Sequence, residues 1–172
     1  MPCCGRRLLV LAPVLSPFAQ RAAAQSTSCP DLGRPRTYRN ARFGFQLDHP
    51  ERLALDPESV PEANDSARFW TPDRRVTAVV NGSGNLTGLS LEQMMREAEG
   101  DILQNGRGDI TYRRRRDNWF VLSGHMAGRI YYRRTMLLRT GAAATLWMEF
   151  PPELRPCLDG AVTLMSLSFR EL

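Results

Sequence analysis

A chain of 172 residues, 42% hydrophobic and 24% charged, can build one compact domain plus an appendage, which excludes wholesale disorder. Its formal charge of +5 rests on 23 basic residues, every one an arginine. Setting aside residues 1–24, with Arg6, Arg7 and Arg21 and no acid, leaves 20 arginines against 18 acids, a field too weak to imply a nucleic-acid partner.

Residues 1–24 read as a cleavable signal peptide. Arg6 and Arg7 supply the positive start, an apolar stretch from Leu8 to Ala19 follows, and Ala22-Ala23-Ala24 offers the small side chains a signal peptidase needs before Gln25. That stretch is far shorter than the ~20 residues of a membrane-crossing helix. The expected location is therefore periplasmic or secreted, with no transmembrane segment in the mature chain. Cleavage removes Cys3 and Cys4 and leaves Cys29 and Cys157. An even pair in an oxidising compartment predicts a disulfide, the alternative being two buried thiols.

Residues 25–37, with Pro30, Gly33 and Pro35, read as an extended lead-in to one domain over 38–172. Phe43, Phe45 and Leu47 alternate with small or polar residues, predicting a strand that ends at Pro50. Residues 51–65 carry Pro57 and Pro61 and read as a loop. Short strands are expected at 67–70 and 75–80, joined by a turn at Thr71-Pro72-Asp73-Arg74. Ser90 and Gln93 form a capping box ahead of an amphipathic helix whose apolar face is Leu91, Met94, Met95, Ala98 and Ile102. Four strands follow, at 110–116, 119–126, 130–138 and 144–150, with turns too short for crossovers and hence antiparallel. A second amphipathic helix is expected over 157–169, carrying Leu158, Ala161, Val162, Met165 and Phe169. The sum is an α+β domain with an antiparallel sheet of six or seven strands flanked by two helices.

The run Tyr38-Arg39-Asn40-Ala41-Arg42-Phe43-Gly44-Phe45-Gln46-Leu47-Asp48-His49-Pro50 resembles the opening of PsbP/Mog1-like domains. It is similar as well to uncharacterised secreted proteins of alphaproteobacteria. Trp119 to Gly124, Ile130 to Arg133 and Met148-Glu149-Phe150-Pro151 resemble the later strands of that plan. The resemblance implies an α/β/α sandwich and a noncatalytic role, since its better-known members bind a photosystem, a small GTPase or secreted effectors.

Chemistry-bearing residues are sparse. His49 and His125 are the only histidines. Ser123 and His125 lie two apart on one predicted strand, without the strained elbow that exposes a nucleophilic serine. No catalytic residue, metal ligand or cofactor site is assigned. Arg113-Arg114-Arg115-Arg116 reads as a solvated hairpin end that guards a sheet edge. Tyr131, Tyr132, Arg133 and Arg134 are the interface candidates, because either face of their strand pairs a tyrosine with an arginine. The competing role for them is packed rings with polar tips reaching water. The function expected is that of a noncatalytic binding or assembly-accessory domain with an envelope-protein partner. A small periplasmic enzyme or a small-ligand carrier is the alternative.

Overall fold

The computed structural model describes residues 29–104 and 108–172; the expected signal peptide, with Cys3 and Cys4, lies outside the described residues. Strand β1 (Pro35–Asn40) pairs antiparallel with β2 (Phe45–Pro50), Tyr38 opposite Leu47. Between them Gly44 takes a φ of +70°, which glycine adopts without a side-chain clash, and its N–H donates to the Asn40 carbonyl at 2.9 Å. This turn aims Phe43 at Gly82, where an added Cβ would come within 2.2 Å of the Phe43 ring. The aromatic-glycine-aromatic run is thus a packing device.

Next come β3 (Ala54–Asp56), β4 (Ser66–Trp70) and β5 (Thr77–Ser83). Helix α1 (Leu91–Gln104) follows and is capped reciprocally: Ser90 N–H donates to Gln93 Oε1 at 2.8 Å, and Gln93 N–H to Ser90 Oγ at 3.3 Å. After it run β6 (Tyr112–Arg116), β7 (Trp119–Met126), β8 (Arg129–Leu137) and β9 (Ala143–Phe150). Helix α2 (Arg155–Ser168) and β10 (Arg170–Glu171) end the chain.

Seven strands form one antiparallel sheet in the order β3-β4-β5-β9-β8-β7-β6, and β1-β2-β10 form a second. Ala144, Leu146, Met148 and Phe150 of β9 face a core shared with Phe45 and Leu47 of β2 and with Leu158, Ala161 and Met165 of α2. On the other face, Phe120, Leu122 and Tyr131 pack against Leu91, Ala98 and Ile102 of α1. The layers run α1, large sheet, then small sheet with α2.

Three departures from the sequence expectations share a cause. β1 begins inside the expected lead-in, β3 lies inside the expected loop, and β10 follows the last helix. Each is short or polar, so its own periodicity is weak; pairing with a stronger neighbour makes it a strand. Pro35 opens β1 at a sheet edge, where its missing N–H costs nothing.

Cys29 and Cys157 are bonded, with Cα atoms 5.1 Å apart, tying the lead-in to the first turn of α2 across 128 positions of sequence. A bridge closing so long a loop contributes ~4–5 kcal/mol by restricting the unfolded chain. Cys157→Ser should therefore lower the thermal midpoint and abolish the sensitivity of that midpoint to reductant. Alkylation of unreduced protein followed by intact mass should find both thiols protected; free alkylation of Cys29 and Cys157 would refute the bridge.

Candidate functional site

Helix α1 lies over β7 and β8 and leaves the β4-β5-β9 half of that face open. Alternation sends Ala67, Phe69, Ala78 and Val80 inward, all at most 1% exposed, and turns Arg68, Trp70, Thr77 and Val79 outward. The register then lays Arg68, Val79, Trp147 and Arg133 side by side across four strands. Trp70 sits between two guanidinium groups, Arg74 4.3 Å and Arg68 5.9 Å from its ring centre. The Thr71–Arg74 turn fixes one of them: Arg74 has a φ of +56° and its N–H donates to the Thr71 carbonyl at 2.7 Å. Asp73 braces that turn by accepting from Thr71 Oγ1 at 2.6 Å and from the Arg75 N–H at 3.1 Å, which holds its carboxyl below the usual range.

Trp147 anchors the middle of this face. Its ring stacks on Tyr131 with centroids 5.0 Å apart, and its Nε1–H donates to Glu149 Oε1 at 2.6 Å. It borders two depressions. One, of about 370 Å³, lies over Trp70, Arg74 and Val79. The other, of about 410 Å³, runs along α1 with Arg133, Thr135, Thr145, Asn81 and Asp101 in its lining. Burial lowers the pKa of the Arg133 guanidinium, with Asp101 opposing the shift.

The four interface candidates divide by strand alternation. Tyr131 is fully buried, and its hydroxyl donates to the Asp109 carbonyl at 2.9 Å. Arg133 reaches the cleft beside α1, where its Nε donates to Thr135 Oγ1 at 3.3 Å. Tyr132 and Arg134 face α2. The Tyr132 hydroxyl lies 2.6 Å from Ser166 Oγ, and Arg134 Nη1 donates to the Ser166 carbonyl at 2.6 Å. That carbonyl is in the last turn of α2, which has no intrahelical donors left, so Arg134 caps the helix end. The Arg134 guanidinium also stacks 4.6 Å from the Trp119 ring centre, while its buried Nε has no hydrogen-bond partner.

The histidines and Ser123 are occupied elsewhere. His49 Nδ1 lies 2.9 Å from the carbonyls of Pro50 and Leu53, and its ring packs on Phe69. Ser123 Oγ donates to the Tyr131 carbonyl at 2.9 Å, whereas the exposed His125 ring faces Asp109 at 3.3 Å. Serine and histidine share a strand face but make no hydrogen bond to each other. Among the described residues no cluster of three or more His, Cys, Asp or Glu is placed to hold a metal ion.

No family model matches the chain, and no curated protein matches it. Solved structures do. Cyanobacterial PsbP (CyanoP) from Synechocystis sp. PCC 6803 superposes with a TM-score of 0.60 at 14% identity, over 84% of this chain and 98% of that one. The Ran-binding protein Mog1p of Saccharomyces cerevisiae superposes with a TM-score of 0.59 at 6% identity, over 81% and 96%. The chain has a PsbP/Mog1-like fold. At such identities the likeness shows the architecture alone.

Within this PsbP/Mog1-like sheet, the candidate surface that sequence reasoning missed is Arg68, Trp70, Arg74 and Trp147. Trp147 alternates visibly with Leu146 and Met148, but its placement beside Arg133 needs the β8–β9 register.

Tyr131 offers a test of the buried packing behind that surface. Burial first, and the Asp109 charge second, push its phenol up to about 12 from an ordinary 10. Because the folded value is the raised one, its stabilising contribution is complete below about pH 10 and is lost as pH climbs through about 12. Denaturant unfolding across that window should show a steeper loss in the native protein than in Tyr131→Phe. Equal slopes would contradict the assignment.

Proposed function

We propose that the mature chain from residue 25 is an exported, noncatalytic binding domain that docks an envelope partner on the open β4-β5-β9 face. The observation that carries this is Trp70, half-buried between Arg68 and Arg74 on a sheet face that α1 leaves uncovered. Tryptophan and arginine are the residues most often found at the energetic centres of interfaces, because a flat ring and a flat cation bury large area with little rotamer loss. The disulfide supports an oxidising compartment, as does the signal-peptide pattern of residues 1–24. Among the interface candidates, Arg133 extends this face toward α1, while the buried Tyr131 stacks on Trp147 of the face and supports it. The Ran-binding protein with this fold is a precedent for partner binding by such a scaffold, not for the identity of the partner.

A second reading, a small-ligand site, is favoured by the volume and polar lining of the cleft beside α1. The two separate by mutation: Trp70→Ala should spare ligand uptake in the cleft, and Arg133→Ala should remove it.

Export should appear as a periplasmic or extracellular product beginning near Gln25. An intact N-terminus on a cytoplasmic product would overturn it. For docking, a photoactivatable side chain in place of Val79 should crosslink to a discrete envelope protein in intact cells. Trp70→Ala should weaken that complex about 30-fold, the effect of a ~2 kcal/mol anchor, without altering the far-ultraviolet spectrum. Crosslinking indifferent to Trp70→Ala would remove this face from the proposal.

A further inference from the structure

The four-arginine run lies at the opposite end of the sheet from Trp70, on the terminal strand β6. Every residue of β6 is exposed, and among the described residues no strand pairs with its outer side. Its inner side is fixed by β7, Arg113 opposite Leu122 and Arg115 opposite Phe120. The far edge of the same sheet is treated differently: β3 has three residues and runs straight into a 3₁₀ turn at Pro57–Ser59.

Alternation splits the arginines into two pairs. Arg113 and Arg115 turn toward α1, where Arg113 Nε lies 2.8 Å from Glu99 Oε1 and Arg115 Nη1 lies 3.8 Å from Glu92 Oε2. These bonds brace the strand against the helix. Arg114 and Arg116 turn the other way and make no ion pair with any described carboxylate; Arg114 lies 5.8 Å from the Trp119 ring centre. An extended strand edge therefore carries unpaired backbone groups together with two uncompensated guanidinium groups at a two-residue spacing.

We infer that β6 accepts an acidic, extended segment of a partner protein by strand addition, with carboxylates at every second residue facing Arg114 and Arg116. Backbone N–H and C=O groups along the edge supply the general affinity, and the arginine pair selects the charge pattern. The same charges reject the other obvious occupant. Two copies of β6 paired edge to edge would set arginine against arginine, which is unfavourable. A run that prevents self-association thus also specifies an acidic strand.

The test uses the mature, disulfide-intact protein and two synthetic octapeptides. One is Glu-Val-Glu-Thr-Glu-Val-Glu-Thr; the other carries the same charge with proline at the two central non-acidic positions. The alternating peptide should slow amide hydrogen exchange in residues 112–116, and the proline peptide should bind at least tenfold more weakly. The pair Arg114→Gln with Arg116→Gln, both on exposed positions, should lose the preference for the acidic peptide while keeping the native unfolding midpoint. Trp70→Ala should leave it unchanged, so this inference and the docking face proposed above fail independently. Equal affinity for the two peptides, protection confined to other strands, no binding, or a peptide-free dimer joined through β6 would each overturn the inference.

Discussion

The alternation of β9 at the centre of the large sheet governs the rest of the molecule. Its even positions, Ala144, Leu146, Met148 and Phe150, supply the core beneath α2 and the small sheet; its odd positions, Thr145, Trp147 and Glu149, supply the opposite face. A slip of one residue would exchange the two sets and bury Glu149 where Met148 now sits, so the hydrophobic pattern fixes the register. From that register follow the row Arg68, Val79, Trp147 and Arg133 on one side and the Tyr132 and Arg134 contacts with Ser166 on the other. The surface proposed for docking is in this sense a by-product of how the core is packed.

Strong periodicity made β9 and both helices legible in the sequence. The run 119–126, placed as a strand by the Asp117-Asn118 turn ahead of it, coincides with β7. Ser90 and Gln93 announced the start of α1 through chemistry that acts over three residues and needs no tertiary context. The short strands escaped because their signals are long-range. Leu55 of β3 is an exposed leucine in a proline-bearing stretch, and only pairing with Phe69 of β4 makes its segment extended. The open face escaped for the same reason. Trp70, Val79 and Trp147 are scattered over 78 positions of sequence and meet only through the β4–β5 and β5–β9 pairings.

Adjacent residues on one strand also carry unlike work. Arg134 points toward α2, caps its final turn and stacks on Trp119, so its truncation would leave both a helix end and a ring unsupported. Arg133, one residue earlier, points into the cleft beside α1 and stacks over Phe120 at 5.8 Å. The sequence places them as equivalents. Sheet pleat separates a structural cation from one that borders open space.

Arginine without lysine gives these surfaces their character. Guanidinium groups stack on rings at Phe43, Trp70, Phe120 and Trp119, Trp70 and Trp119 each taking two. Stacking uses the face of the planar cation and leaves its N–H edge free, which a compact ammonium cannot do. Around Trp70 two guanidinium groups lie beside a half-buried ring; along β6 Arg114 lies 5.8 Å from the Trp119 ring centre and pairs with no described carboxylate. Both surfaces therefore suit carboxylates, one in the setting of a tertiary interface and one in the setting of an added strand. On the two readings proposed, their separation at opposite ends of a seven-stranded sheet would let one small domain hold a folded partner and an extended acidic segment at the same time.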